Sequence, residues 1–192
     1  MNLYKKNLKK LTKANAYYPS LEHDACGVGL VASTEGKKSR KIVEFGIQAL
    51  KAVWHRGAVD ADGKTGDGAG IHIEIPTDFF KERIENYGRQ YDGGTICVGM
   101  IFLPRNDYSS QEKCKTLIET ELLRKNYYIY RWRQVPINTS TLGIKAENNR
   151  PEITQIIFKS NKKNLLGEEL ERDLFAVRKK IEKQSSKLQI SK

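Results

Sequence analysis

In LEHDACGVGLVAS, residues 21–33, an acidic and polar run gives way at Cys26 to a short apolar stretch broken by Gly27 and Gly29. Glycine within a strand pattern marks a place where another backbone comes close. The stretch therefore predicts a buried strand over residues 26–33, with the Cys26 thiol rigidly held at its start and still approachable. Its companion is HRGAVDADGKTGDGAGI, residues 55–71, where Arg56 stands directly before Gly57, and four glycines and two aspartates fall within residues 62–70. That density of glycine defeats a helix, and its regularity is foreign to a linker. A loop of this composition suits backbone N–H groups aimed at a ligand.

Two nucleotide-binding patterns lie in these stretches, and neither holds in context. Residues 27–32, GVGLVA, fit G-x-G-x-x-[G/A], but that motif needs a strand before it and a helix after it. Here a polar run precedes and a strand is predicted to follow. Gly63-Lys64-Thr65 resembles the end of a phosphate loop, yet its first glycine belongs at position 58, which is Ala58.

Outward from these stretches, apolar periodicity sets the remaining elements. Ser39 is placed to cap a helix over residues 40–54 with a broad apolar face that includes Ile42, Val43, Phe45 and Leu50. Residues 69–75 alternate Ile71, Ile73 and Ile75 up to Pro76 and predict a second strand. A helix over residues 77–87 turns Phe79, Phe80 and Ile84 inward. Nothing polar interrupts ICVGMIFL, so residues 95–103 predict a fully buried strand that needs cover on both faces. A helix over 109–125 capped by Ser109 or Ser110, strands over 127–135 and 152–159, and a helix over 168–184 complete the pattern. This alternation, taken alone, implies a parallel α/β sheet.

Composition narrows the function classes. The chain has 192 residues, 39% hydrophobic and 30% charged, which suits one globular domain with a sizeable core. No apolar run reaches membrane length, and the lysine-rich start lacks the apolar core of a secretory signal. The expected setting is cytoplasmic, with no membrane partner. Cys26, Cys97 and Cys114 show no paired spacing, so neither a disulfide nor a metal framework is expected. Cys97 and Cys114 read as small core hydrophobes. The net charge of +11 raises nucleic acid as a partner, but +8 of it sits in residues 1–25 and 159–192, as solvated flanks. Only YYIYRWR, residues 127–133, interleaves aromatic and basic residues as a single-strand binder does, and its period of two reads as a strand. No nucleic-acid partner is expected.

HDACGVGLVA and HRGAVDADGKTGDGAGI, together with RQVP at 133–136 and LFAVRKKIEK at 174–183, resemble the start of the glutamate synthase large-subunit family, nearly collinearly from Leu21 to Ser185. The resemblance places Cys26 where that family has the amino-terminal cysteine of a class II glutamine amidotransferase domain. It implies an α+β fold of the N-terminal nucleophile hydrolase type, a four-layer αββα sandwich of antiparallel sheets, incomplete here, which overrules the parallel reading. It also implies residues 1–25 as a propeptide or leader, 26–184 as the amino-terminal portion of the amidotransferase domain, and 185–192 as a frayed tail. The implied activity is hydrolysis of L-glutamine to glutamate and ammonia through a thioester on Cys26, with ammonia passed to 2-oxoglutarate.

The same resemblance assigns roles. Cys26 is the nucleophile, with its own α-amino group, of pKa near 8, as base, so no histidine partner is needed. His23, His55 and His72 are expected to be satisfied or solvated. Arg56 lies beside the cysteine, where a fixed cation orients the nucleophile and favours its thiolate. Gly57, Asp67 and Gly68 shape the site or bind substrate, Asp67 bonding either Arg56 or a local backbone turn. No metal is expected, and FMN and an iron–sulfur cluster belong to the rest of a full-length enzyme, whose large chain, and in some forms a small subunit, are the partners. The chain has no Asn-Gly dipeptide to form an oxyanion hole, a lack that costs roughly 3 to 4 kcal/mol of transition-state stabilisation. By itself the segment is expected to be weakly active or inactive. Two rivals remain: a non-catalytic scaffold with the same half-fold, and another class II amidotransferase with a different acceptor.

Overall fold

The computed structural model describes residues 6, 7, 9, 10, 27–54, 57–162 and 165–188. The chain divides into two compact units, one of residues 1–57 and 69–71, the other of residues 58–68 and 72–192.

The first unit contains helix α1, Arg40–Ala52. Ser39 holds the extended backbone of an N-cap, without a side-chain cap bond, and Arg40 donates to Glu44 one turn on at 3.2 Å. The helix has the predicted apolar stripe, but none of its residues is buried. Residues 27–33 form no strand, which corrects the expectation for that stretch: Val28 and Leu30 are 95% and 92% exposed. A strand exists only when a neighbouring backbone supplies its hydrogen bonds, and apolar residues in sequence cannot provide that neighbour. The tight turn expected next is present, with Gly36 at φ +66° and its N–H donating to Ser33 O.

The second unit is built on a three-stranded antiparallel sheet in the order β1-β3-β2, where β1 is Ile96–Leu103, β2 is Tyr127–Gln134 and β3 is Glu152–Ser160. The parallel signal in the sequence had a real source. Helix α3, Tyr108–Arg124, joins β1 to β2, which run the same way, but β3 fills the slot between them and is antiparallel to both. As the central strand, β3 is buried continuously from Thr154 to Phe158. Tyr130 is an extra residue in β2 between Ile129, opposite Phe158, and Arg131, opposite Ile157, a bulge that turns Tyr130 and Arg131 to the same face.

Each sheet face has its own core. On one, Cys97, Tyr127, Ile156 and Phe158 pack with Ile118 and Leu122 of α3 and with Leu170 and Val177 of helix α5, Gly167–Ser185. On the other, Ile96, Tyr130 and Ile157 pack with Phe80 and Ile84 of helix α2, Thr77–Glu85. Gly99 lies opposite Ile156, and a Cβ there would come within 2.8 Å of that side chain, so glycine permits the close pairing of β1 with β3. Beyond α2 the second face opens: Met100 and Phe102 are 49% and 63% exposed, and among the described residues β1 is an edge strand. ICVGMIFL is thus apolar on both faces, as read, with one face covered and the other covered only in part.

Three expectations need correction. Residues 69–75 form no strand; Ile71 and Ile73 are exposed, and only Ile75 packs against the α2 cluster. Asp107, not Ser109 or Ser110, caps α3: its carboxylate accepts from Ser110 N at 2.9 Å and Ser110 Oγ at 2.6 Å. A short helix α4, Ile144–Asn149, stands where no element was predicted. Cys97 is buried, and burial pushes its thiol up to about 11, with Glu171 adding to the shift. Cys114 is half-buried, its thiol also raised by burial and then by Asp107.

The aromatic and basic strand is spent internally. Tyr127 and Tyr130 are buried and donate to Asp173 at 2.7 Å and to Asp92 at 2.9 Å. Arg131 stacks on Tyr87 and donates to Arg83 O at 3.2 Å, while Arg133 donates to Gln155 at 2.7 Å beside the Phe79 ring. Glu121, 1% exposed, lies between α3 and α5, where Lys180, Arg124 and Gln184 reach its carboxylate and Lys180 above all holds it ionised.

Candidate active site

The glycine-rich stretch is an ordered hairpin rather than an open loop. Val59 and Gly66 pair as an antiparallel bridge, Asp60 N donates to Thr65 O at 2.7 Å, and Gly63 takes φ +68° at the tip, with its N–H on Asp60 O. Asp62 ties the turn: one oxygen accepts from Lys64 N at 2.9 Å and Thr65 N at 2.7 Å, the other from Thr65 Oγ1 at 2.5 Å. The Thr65 hydroxyl above all, with these backbone N–H groups, holds the Asp62 carboxyl down at about 2.

Because the ordinary aspartate value is about 3.9, this grip is intact above that range and is lost as pH falls through about 2. Protection of the Lys64 and Thr65 amides in NMR exchange is therefore expected to persist to about pH 3. Loss of protection already at about pH 4 would contradict the assignment of the turn to Asp62.

At the open end of the hairpin, Asp67 Oδ2 accepts from Ala58 N at 2.9 Å, and Asp67 N donates back to Ala58 O at 3.3 Å. Of the two partners open to Asp67 in the sequence, the described bond is the backbone one, and it grips the chain two residues after Arg56. Gly66 is the close approach in this hairpin, since a Cβ there would come within 3.1 Å of Ala58 O. Gly68 has open space around it, and neither packing nor φ demands glycine there. Gly57 closes the turn after α1, its N–H donating to Trp54 O at 3.1 Å. Cys26 and Arg56 lie outside the described residues, as do His23 and His55. His72 is exposed, as expected of a solvated histidine. Among the described residues, no group of three or more His, Cys, Asp or Glu side chains is placed to hold a metal ion, and no helix is long and apolar enough to cross a membrane.

The structure adds residues that the sequence reading missed. Gly143, the residue before α4, sits against the hairpin so closely that a Cβ would lie 2.6 Å from Thr65 N and nearer still to Thr65 Oγ1 and Asp62 Oδ2. Lys145 Nζ reaches Asp60 Oδ2 at 2.6 Å, and its backbone N–H contributes to holding Asp62 ionised. These contacts span some eighty positions in sequence, and six helical residues with one exposed isoleucine give no amphipathic signal to read.

The sequence profile of Glutamine amidotransferases class-II matches residues 26–192, beginning at Cys26 itself. The chain belongs to this family. It is 54% identical over 180 residues to the Glutamate synthase [NADPH] large chain of Azospirillum brasilense, a match covering 94% of this chain and 12% of that protein. It is 41% identical over 163 residues to the Ferredoxin-dependent glutamate synthase of Pyropia yezoensis, covering 84% of this chain and 10% of that protein. The Glutamate synthase [NADPH] large chain of Bacillus subtilis is 32% identical over 174 residues, 90% of this chain and 11% of that protein. The chain thus spans about a tenth of the length of these relatives, and its α+β fold with an antiparallel sheet agrees with the class that the resemblance implied.

Proposed function

We propose that this segment is the glutaminase part of a glutamate synthase and that it hydrolyses L-glutamine at Cys26. The observation that carries the reading is the family match that starts at Cys26, joined to 54% identity with a glutamate synthase large chain across almost the whole segment. Removal of residues 1–25 frees the Cys26 α-amino group, whose pKa of about 8 lets it take the thiol proton near neutral pH. The thiolate attacks the glutamine side-chain amide carbon. Collapse of the tetrahedral adduct expels ammonia, with the proton returned from the α-ammonium, and leaves a γ-glutamyl thioester. Water then cleaves the thioester to glutamate and restores the thiol.

Arg56 orients the thiolate in this scheme, Gly57 gives the turn that presents it, and Asp67 holds the following backbone through Ala58 N. Gly68 is assigned to backbone approach beside substrate. The full domain is the four-layer αββα sandwich. Ammonia goes to 2-oxoglutarate, a step of nitrogen assimilation in which FMN and an iron–sulfur cluster, held by the rest of the large chain, supply the reducing chemistry. The rest of the large chain and, in some forms, a small subunit are its partners in the cytoplasm, with ferredoxin or a nicotinamide as the electron donor. An acceptor other than 2-oxoglutarate is the alternative closest to this reading.

The experiment is ammonia release from glutamine by the full protein, with and without 2-oxoglutarate. Release with matching glutamate formation supports the reading. A protein with a free amino-terminal Cys26 that releases none leaves only the scaffold.

A further inference from the structure

The hairpin of residues 58–67 is clasped from outside. Gly143 and Lys145 hold its Asp60, Asp62 and Thr65, and α4 is itself pinned to the sheet through Glu147. That carboxylate takes Arg105, just after β1, at 2.8 Å and Arg150, just before β3, at 2.9 Å to each oxygen. Arg105 also donates to Glu147 O at 3.0 Å. An unbroken line of contacts therefore runs from the end of β1 and the start of β3 through α4 to the hairpin, and ends at the bond from Ala58 N to Asp67.

None of this line belongs to either apolar core. No residue of α4 is buried, and the Lys145 and Asp60 side chains are 62% and 35% exposed. An ion pair so exposed adds little to global stability, yet its geometry can still fix a loop on a rigid frame.

We propose that Gly143 and Lys145 are positioning residues for the glutaminase reaction, clasping the hairpin so that Asp67 and Ala58 fix the backbone leading out of Arg56-Gly57. This rests on the Cys26 reading given above. Loosening the clasp lowers turnover rather than glutamine affinity, because it frees the backbone that follows Arg56-Gly57, and a misplacement of about 1 Å away from the chemistry itself can cost ~100-fold.

The test uses the full protein and three variants: Gly143→Ala, Lys145→Asp, and Lys145→Asp combined with Asp60→Lys, which restores the ion pair with its charges exchanged. The single variants are expected to lose about 10-fold or more in kcat, with KM for glutamine within about twofold and the melting temperature nearly unchanged. The charge exchange is expected to recover most of the loss of Lys145→Asp, a coupling that a mere loss of surface charge would not show. An active parent whose single variants keep full kcat overturns the proposal and leaves the glutaminase reading standing. So does a fall in kcat that tracks a fall in melting temperature without recovery in the exchange. A parent that releases no ammonia overturns both.

Discussion

Cys26→Ser is expected to abolish ammonia release from glutamine, lowering turnover by on the order of 1000-fold or more. A serine hydroxyl is far less acidic than a thiol, and the α-amino group that can deprotonate a thiol near its own pKa of about 8 cannot form an alkoxide. The control lies in the same chain. Cys97→Ala and Cys114→Ala are expected to keep activity, since Cys97 is a core thiol pushed up to about 11 and the half-buried Cys114 is also raised. If Arg56 favours the thiolate as proposed, without forming the acyl bond, Arg56→Ala is expected to lower turnover without unfolding the protein. A Cys26→Ser protein that hydrolysed glutamine as fast as its parent would exclude the thioester route.

Ile157→Ala is expected to destabilise the second unit by about 2 to 5 kcal/mol. Ile157 is fully buried on the central strand and packs with Phe80, Ile84, Ile96 and Tyr130. Hydrogen bonds along both edges of β3 prevent the strand from closing the resulting cavity. A loss of that size is a large fraction of the roughly 5 to 15 kcal/mol that holds a domain. Hydrogen exchange at the Ile156, Ile157 and Phe158 amides is expected to accelerate accordingly. Phe102→Ala, at a ring 63% exposed on the same sheet face, is expected to change stability by no more than about 0.5 kcal/mol. Equal effects from the two substitutions would show that the α2 face is not the core described.

The strands and helices with strong internal periodicity were legible in the sequence. β1, β2, β3, α2, α3 and α5 stand within a few residues of where apolar spacing put them, because each buries a face against a partner within the second unit. The stretches at 27–33 and 69–75 show the limit of that reading. Val28, Leu30, Ile71 and Ile73 have strand-like spacing, but a strand is a property of two backbones, and among the described residues neither stretch has a ladder partner. The sheet order was likewise hidden, since helix and strand alternation does not reveal that β3 enters between β1 and β2.

For the candidate site the sequence proposes a chemistry but does not reveal its support. Cys26 and Arg56, proposed from the resemblance, lie outside the described residues, whereas the glycine-rich stretch is seen as a hairpin. The described bond of Asp67 is to Ala58 N at 2.9 Å, a contact that local sequence does not single out. The clasp by Gly143 and Lys145 depends on contacts between distant segments, and a single glycine or lysine in a polar stretch carries no signal of its own.

Acid quenching of the full protein during turnover of glutamine, followed by mass spectrometry of the peptide that begins at Cys26, tests the central claim most directly. The expected result is a free α-amino group on Cys26, with a γ-glutamyl group on its sulfur that disappears once glutamine is exhausted. A peptide that still carries residues 1–25 in an active protein, or a γ-glutamyl group on any other residue, would contradict it.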